Sequence, residues 1–60
     1  MTIMPIVSVQ MYSGKSQRKK DRLAEAITED VVKILNVSKE VIVLFTEATH
    51  GNWYSAGVRL

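Results

Sequence analysis

Residues 6–12, Ile-Val-Ser-Val-Gln-Met-Tyr, alternate along the chain. Val7, Val9 and Met11 fall on one side of an extended backbone, Ser8, Gln10 and Tyr12 on the other, and Ile6 adds an apolar side chain at the start. A period of two is that of a strand with one strongly apolar face. Ser13-Gly14 interrupts it. From Ser16 onward the period becomes helical: Leu23, Ile27, Val31 and Ile34, flanked by Ala24 and Leu35, form a stripe, with Arg22, Glu25, Glu29 and Lys33 facing away. Ser16 suits an N-cap, and Asn36 suits the left-handed turn that ends a helix. Residues 41–45, Val-Ile-Val-Leu-Phe, are apolar at every position, as in a parallel strand covered on both faces. Thr49 to Asn52 is turn-like, and Trp53-Tyr54 with Gly57-Val58 predicts a short hairpin.

A strand, a helix of about five turns and a second strand make a βαβ unit, with a right-handed crossover expected and the two strands parallel. The predicted fold class is therefore α/β (α+β): one compact βαβ protomer with a C-terminal β-hairpin. A single helix covers only one face of such a sheet. At 60 residues and 6.8 kDa the chain makes one small domain, of a size that buries roughly 60% of its unfolded surface. Disulfides, metals or self-association usually stabilise domains this small. The absence of cysteine removes disulfides and thiolate metal sites, and one His with six scattered acids makes no metal-binding set. A hydrophobic content of 47% is too high for disorder. Self-association remains, with another copy supplying the missing cover.

Charge sharpens this picture at one place. The net charge is +2, but Lys15, Arg18, Lys19, Lys20 and Arg22 against Asp21 place +4 within residues 15–22. Such a cluster is a solvated face, an anion site or a nucleic-acid contact. Cations in the first helical turn oppose the helix dipole at about 0.3–1 kcal/mol each, whereas the free N–H groups there attract anions. Nucleic acid is disfavoured: no basic residues interleave with Trp53 and Tyr54, and no GXXG clamp is present. The longest apolar run is five residues, so no membrane span is expected. Met1-Thr2-Ile3-Met4-Pro5 lacks the features of a signal peptide, which predicts a cytoplasmic protein. His50 reads as an exposed polar loop residue rather than an acid or ligand, and the Ser and Thr residues form no triad pattern.

Several stretches together resemble the 4-oxalocrotonate tautomerase family: Met4-Pro5-Ile6-Val7 at the front, Gly14-Lys15-Ser16 where the family commonly has Gly-Arg-Ser, the helix pattern from Leu23 to Leu35, Thr46 to Trp53, and Ala56-Gly57-Val58 in the hairpin. The similarity covers nearly all of residues 5–60, leaving 1–4 as an extension ahead of the family's usual start. The resemblance implies a homo-oligomer, a hexamer built as a trimer of dimers. It also implies a cofactor-free tautomerase (isomerase) acting on small unsaturated 2-hydroxy or 2-oxo carboxylates. The catalytic group in such enzymes is an N-terminal proline. In an apolar pocket its charged form is disfavoured, so the free amine moves a proton across an enol–ketone pair near neutral pH. Cations, usually arginines from more than one subunit, hold the carboxylate and stabilise the developing oxyanion.

Carried onto this sequence, the resemblance places Pro5 at the catalytic position. Lys15 stands where an arginine holds the distal carboxylate, keeping the charge without the bidentate fork. Trp53 occupies the aromatic position, and Arg59 is a further candidate for substrate binding in a neighbour's pocket. With one residue dropped from the Asn36–Glu40 loop, Ile42 aligns with the family's second arginine, which removes the expected electrophilic cation. Pro5 is also preceded by Met1-Thr2-Ile3-Met4, and its nitrogen within a peptide bond carries a delocalised lone pair. Two readings stay open: synthesis begins at Met4 and Pro5 becomes the terminal amine, or the protein is an inactive tautomerase-fold oligomer that binds a small anion. In the second, Pro5 is simply a proline at a strand's first residue.

Overall fold

The computed structural model describes residues 4–60 of the chain. β1 (Ile6–Tyr12), α1 (Gln17–Leu35) and β2 (Ile42–Ala48) follow in order, and a 3-10 turn (His50–Asn52) leads into the short strands β3 (Tyr54–Ser55) and β4 (Val58–Arg59). β1 and β2 pair in parallel, from Ile6 opposite Ile42 to Tyr12 opposite Ala48, giving the expected βαβ unit with its C-terminal strand pair. β2 begins one residue later than the apolar run and ends three residues after it. Thr46, Glu47 and Ala48 stay in the ladder because β1 still offers backbone partners as far as Tyr12. The Ser13 N–H then donates to the Ala48 carbonyl at 3.0 Å, beyond the last register pair.

The helix ends are where the capping residues placed them. Ser16 Oγ accepts from the Lys19 N–H at 3.2 Å, and Asn36 adopts φ 56° and ψ 51°, the left-handed cap. Ala24, Ile27, Thr28, Val31 and Val32 are half-buried and form the stripe against the sheet face of Val7, Val9, Met11, Val43 and Phe45. The predicted stripe is corrected at its edges: Leu23 is 41% exposed and Ile34 77%. Length accounts for Ile34. Nineteen helical residues rise about 28 Å, whereas seven strand residues span about 23 Å, so the final turn overhangs the sheet.

The other sheet face carries Ile6, Ser8, Gln10, Ile42, Leu44 and Thr46, all exposed. Among the described residues no side chain is fully buried. The surface of 5078 Å² compares with about 4,000 Å² for a compact monomer of this mass. The radius of gyration is 14.6 Å, against about 10 Å for a compact 60-residue domain. The protomer is extended rather than compact, and its core is one-sided. No helix among the described residues is long and apolar enough to cross a membrane.

Candidate active site

Pro5 stands half-buried at the entrance to β1. A strand's first residue needs no N–H for the ladder, and the Pro5 carbonyl accepts the Ile42 N–H at 2.9 Å. Ile42, which the resemblance aligns with the family's second arginine, is therefore the backbone neighbour of Pro5. Met4, Ile6 and Ile42 around it are 52%, 65% and 40% exposed. All three side chains are apolar.

The other predicted residues lie at the opposite end of the sheet. Lys15 follows the Ser13-Gly14 turn, where Gly14 at φ 113° holds a conformation that side chains disfavour. It lines a cleft of about 110 Å³ with Met11, Lys19, Lys20 and Leu23. Lys20, one of the basic cluster, is held by Glu47: Nζ lies 2.5 Å from Oε1, with the two side chains 20% and 26% exposed. This tie links α1 to the end of β2.

Trp53 is a fixed wall. Its indole N–H donates to the Ala48 carbonyl at 3.1 Å, and its ring meets Tyr12 at 4.5 Å with a 50° tilt. Tyr12 in turn stacks on His50 at 4.3 Å and 11°. His50 is exposed, as its loop position suggested, but the stack gives it a packing role as well. Trp53 lines a pocket of about 360 Å³ with Gln10, Thr46, Ala48, Asn52 and Tyr54, on the open sheet face. Arg59 sits on β4 opposite Tyr54, exposed, and lines neither cavity. Its neighbour Leu60 donates to the Trp53 carbonyl at 2.9 Å, tying the hairpin back to the tryptophan.

Within one protomer, then, Lys15, Trp53 and Arg59 share one end of the sheet, and Pro5 with Ile42 occupies the other, about 23 Å away along β1. Sequence reasoning missed Tyr12 and Glu47. The alternation of β1 already placed Tyr12 on the face of Gln10, but only the register with Ala48 brings it to Trp53. A wider groove of about 490 Å³, along α1, is lined by Glu25, Thr28, Glu29, Val32, Lys33 and Lys39. It contains none of the candidate residues, and its acids and lysines neutralise one another.

Residues 5–60 match the family model described as tautomerase enzyme. A 2-hydroxymuconate tautomerase of Bacillus subtilis is 40% identical over 58 residues, covering 95% of this chain and 94% of its own. A crystal structure of a 4-oxalocrotonate tautomerase homologue superimposes with a TM-score of 0.84 at 32% identity, over 92% of each chain. A candidate 4-oxalocrotonate tautomerase of Staphylococcus aureus gives 0.85 at 29% identity, over 97% of this chain and 95% of its own. The parallel βαβ unit, the trailing hairpin and these matches come together in one assignment: the chain belongs to the tautomerase family, as a 4-oxalocrotonate tautomerase-like member.

Proposed function

We propose that the protein is a cofactor-free keto–enol tautomerase of small unsaturated 2-hydroxy or 2-oxo carboxylates, with the amine of Pro5 as base and each site shared between two copies of the chain. The observation that carries this is the separation of Pro5 from Lys15 and Trp53 by the whole length of β1. Among the described residues, the outer edge of β1 has no strand partner. Antiparallel pairing of two such edges about a two-fold centred on Val9 sets Pro5 of one copy opposite Ser13 of the other. That is two residues from Lys15, and beside the Tyr12–Trp53 wall. A two-fold interface repeats the arrangement at both ends. The apolar residues Ile6, Ile42 and Leu44 on the open sheet face remain for further association, which supports a hexamer of three such pairs.

In that site the free amine accepts the 2-hydroxyl proton of the enol and returns a proton to a carbon of the conjugated chain. No electrons are exchanged with a second reactant. The apolar surroundings disfavour the ammonium form. Activity therefore rises with pH through an apparent pKa below the value of about 7.7–8.0 for an ordinary α-amine. The base exists only where the Met4–Pro5 peptide bond is absent. Where that bond persists, the second reading applies: a non-catalytic oligomer that binds a small anion through Lys15.

Sharing of the site is tested by mixing two weakened chains that both begin at Pro5. One carries Pro5→Ala; the other carries Lys15→Ala with Trp53→Ala. Unfolding and refolding them together is expected to recover activity beyond the sum of the two alone, because some sites regain every group. Strict additivity contradicts a shared site.

A further inference from the structure

We propose that Ile34 of a second copy of this chain seats in the apolar slot between Met11 and Leu23, so that two α1 helices lie antiparallel across the paired β1 edges. The inference rests on the two-fold pairing proposed for the shared site and names the contact that fixes it.

The slot is lined by Met11, Lys15, Lys19, Lys20 and Leu23, and its surface is almost wholly apolar. The lysines therefore line it with their methylene stems and keep their ammonium groups outside. None of these residues belongs to β2. The slot thus opens toward the outer edge of β1, which has no strand partner among the described residues. Its volume of about 110 Å³ is below the roughly 150 Å³ that holds a benzene ring. It admits one aliphatic side chain, not an aromatic one.

The same chain carries the matching knob. Ile34 is 77% exposed and Leu23 41%, and at 3.6 residues per turn they lie about three turns apart on one flank of α1. The opposite flank holds the groove of Glu25, Thr28, Glu29 and Val32, which includes Lys39 from the segment leading into β2. Leu23 and Ile34 are therefore on the β1 side. Within one chain Ile34 is about 16 Å along the helix from Leu23, so only another copy can fill the slot with it. Pairing of β1 edges about a two-fold near Val9 runs the two helices antiparallel on one sheet face. The last turn of one α1 then comes beside the first half of the other.

Charge selects the same occupant. Arg18, Lys19, Lys20 and Arg22 against Asp21 give the first half of α1 a charge of +3; Glu25, Glu29 and Asp30 against Lys33 give the second half −2. Antiparallel helices set each basic half against an acidic one. The first-turn cations oppose the dipole of their own helix, but there they stand beside the C-terminal turn of the other, where positive charge is favoured.

The chain contains no cysteine, which allows a direct test on the full 60 residues. Leu23→Cys and Ile34→Cys are introduced together and treated with a bismaleimide too short to span three helical turns. A covalent dimer is expected, with peptide mapping placing the link between positions 23 and 34. Ile34→Cys alone, and Ile34→Cys with Glu29→Cys on the opposite flank, are expected to give no dimer. Equal dimer formation in those controls, or no link between 23 and 34 in the double variant, overturns the seating. Sedimentation supplies a second measurement that needs no cross-link. Ile34→Asp is expected to weaken self-association roughly a hundredfold, because each pair loses two buried aliphatic side chains, whereas Ile34→Leu retains it. Unchanged association of Ile34→Asp overturns the seating whatever the cross-linking shows. A link between 23 and 34 without turnover in a chain beginning at Pro5 refutes the tautomerase reading alone. Turnover in an assembly that Ile34→Asp leaves intact refutes the seating alone.

Discussion

Under the proposed chemistry Pro5 is the base, and a backbone hydrogen bond joins it to Ile42. Where the family resemblance implies an arginine, Ile42 offers the developing oxyanion no donor, and losing such a donor costs on the order of 10²–10³ in rate. In a chain beginning at Pro5, Ile42→Arg is therefore expected to raise kcat for 2-hydroxymuconate by at least about tenfold, measured by ketonisation in the ultraviolet. An unchanged kcat shows that the donor comes from elsewhere in the assembly. Family spacing along the chain marks Pro5, Lys15 and Trp53 as candidates, and their roles belong to the proposal. Tyr12 and Glu47 carried no such signal, because their contacts depend on cross-strand register and on the rotational phase of α1. The Lys20–Glu47 pair shows the difference: 27 residues separate the partners, and no local pattern connects them.

At the scale of elements, capping residues were the most informative. Ser16 and Asn36 fixed both ends of α1 before any packing was known, and Ser16→Ala is expected to cost about 1 kcal/mol in denaturant unfolding. The hairpin was the least legible. Pairing of Trp53-Tyr54 with Gly57-Val58 was expected, but the strands are Tyr54–Ser55 and Val58–Arg59. The reason is the turn itself. A two-residue loop of this twist needs positive φ at both central positions, and Ala56 at 52° with Gly57 at 80° supplies it. Gly57 is consumed by the turn and is not available to the strand. Ala56 pays for its left-handed conformation with roughly 1–2 kcal/mol. Ala56→Asn, the residue such loops prefer, should recover part of that and raise the thermal midpoint by a few degrees. No gain, with the hairpin intact, contradicts the turn assignment.

At the scale of the whole molecule, the one-sided core governs everything else. Ile6, Ile42 and Leu44 remain exposed on one sheet face, and Ile34, in the last turn of the helix that covers the other face, is 77% exposed. A chain that buries so little by itself gains its stability through association, so the unfolding midpoint should rise with protein concentration. Sedimentation at micromolar concentration should give several protomers, a hexamer under the proposed arrangement; a well-folded monomer sinks it. The need for association was legible from length, cysteine count and the doubly apolar β2. Its geometry was not: the strand over residues 6–12 already separates Pro5 from Lys15, but no local pattern shows which sheet edge another copy would meet.

The free amine is tested by one comparison: turnover of 2-hydroxymuconate by the 60-residue chain and by the same chain beginning at Pro5, at equal assembly. In the longer chain the Pro5 nitrogen is an amide without a basic lone pair, so ketonisation should not exceed the uncatalysed rate. In the shorter chain activity should appear and rise with pH through a single apparent pKa below about 7.7. Equal activity in the two chains contradicts proline-amine catalysis and turns attention to the lysines of the cleft.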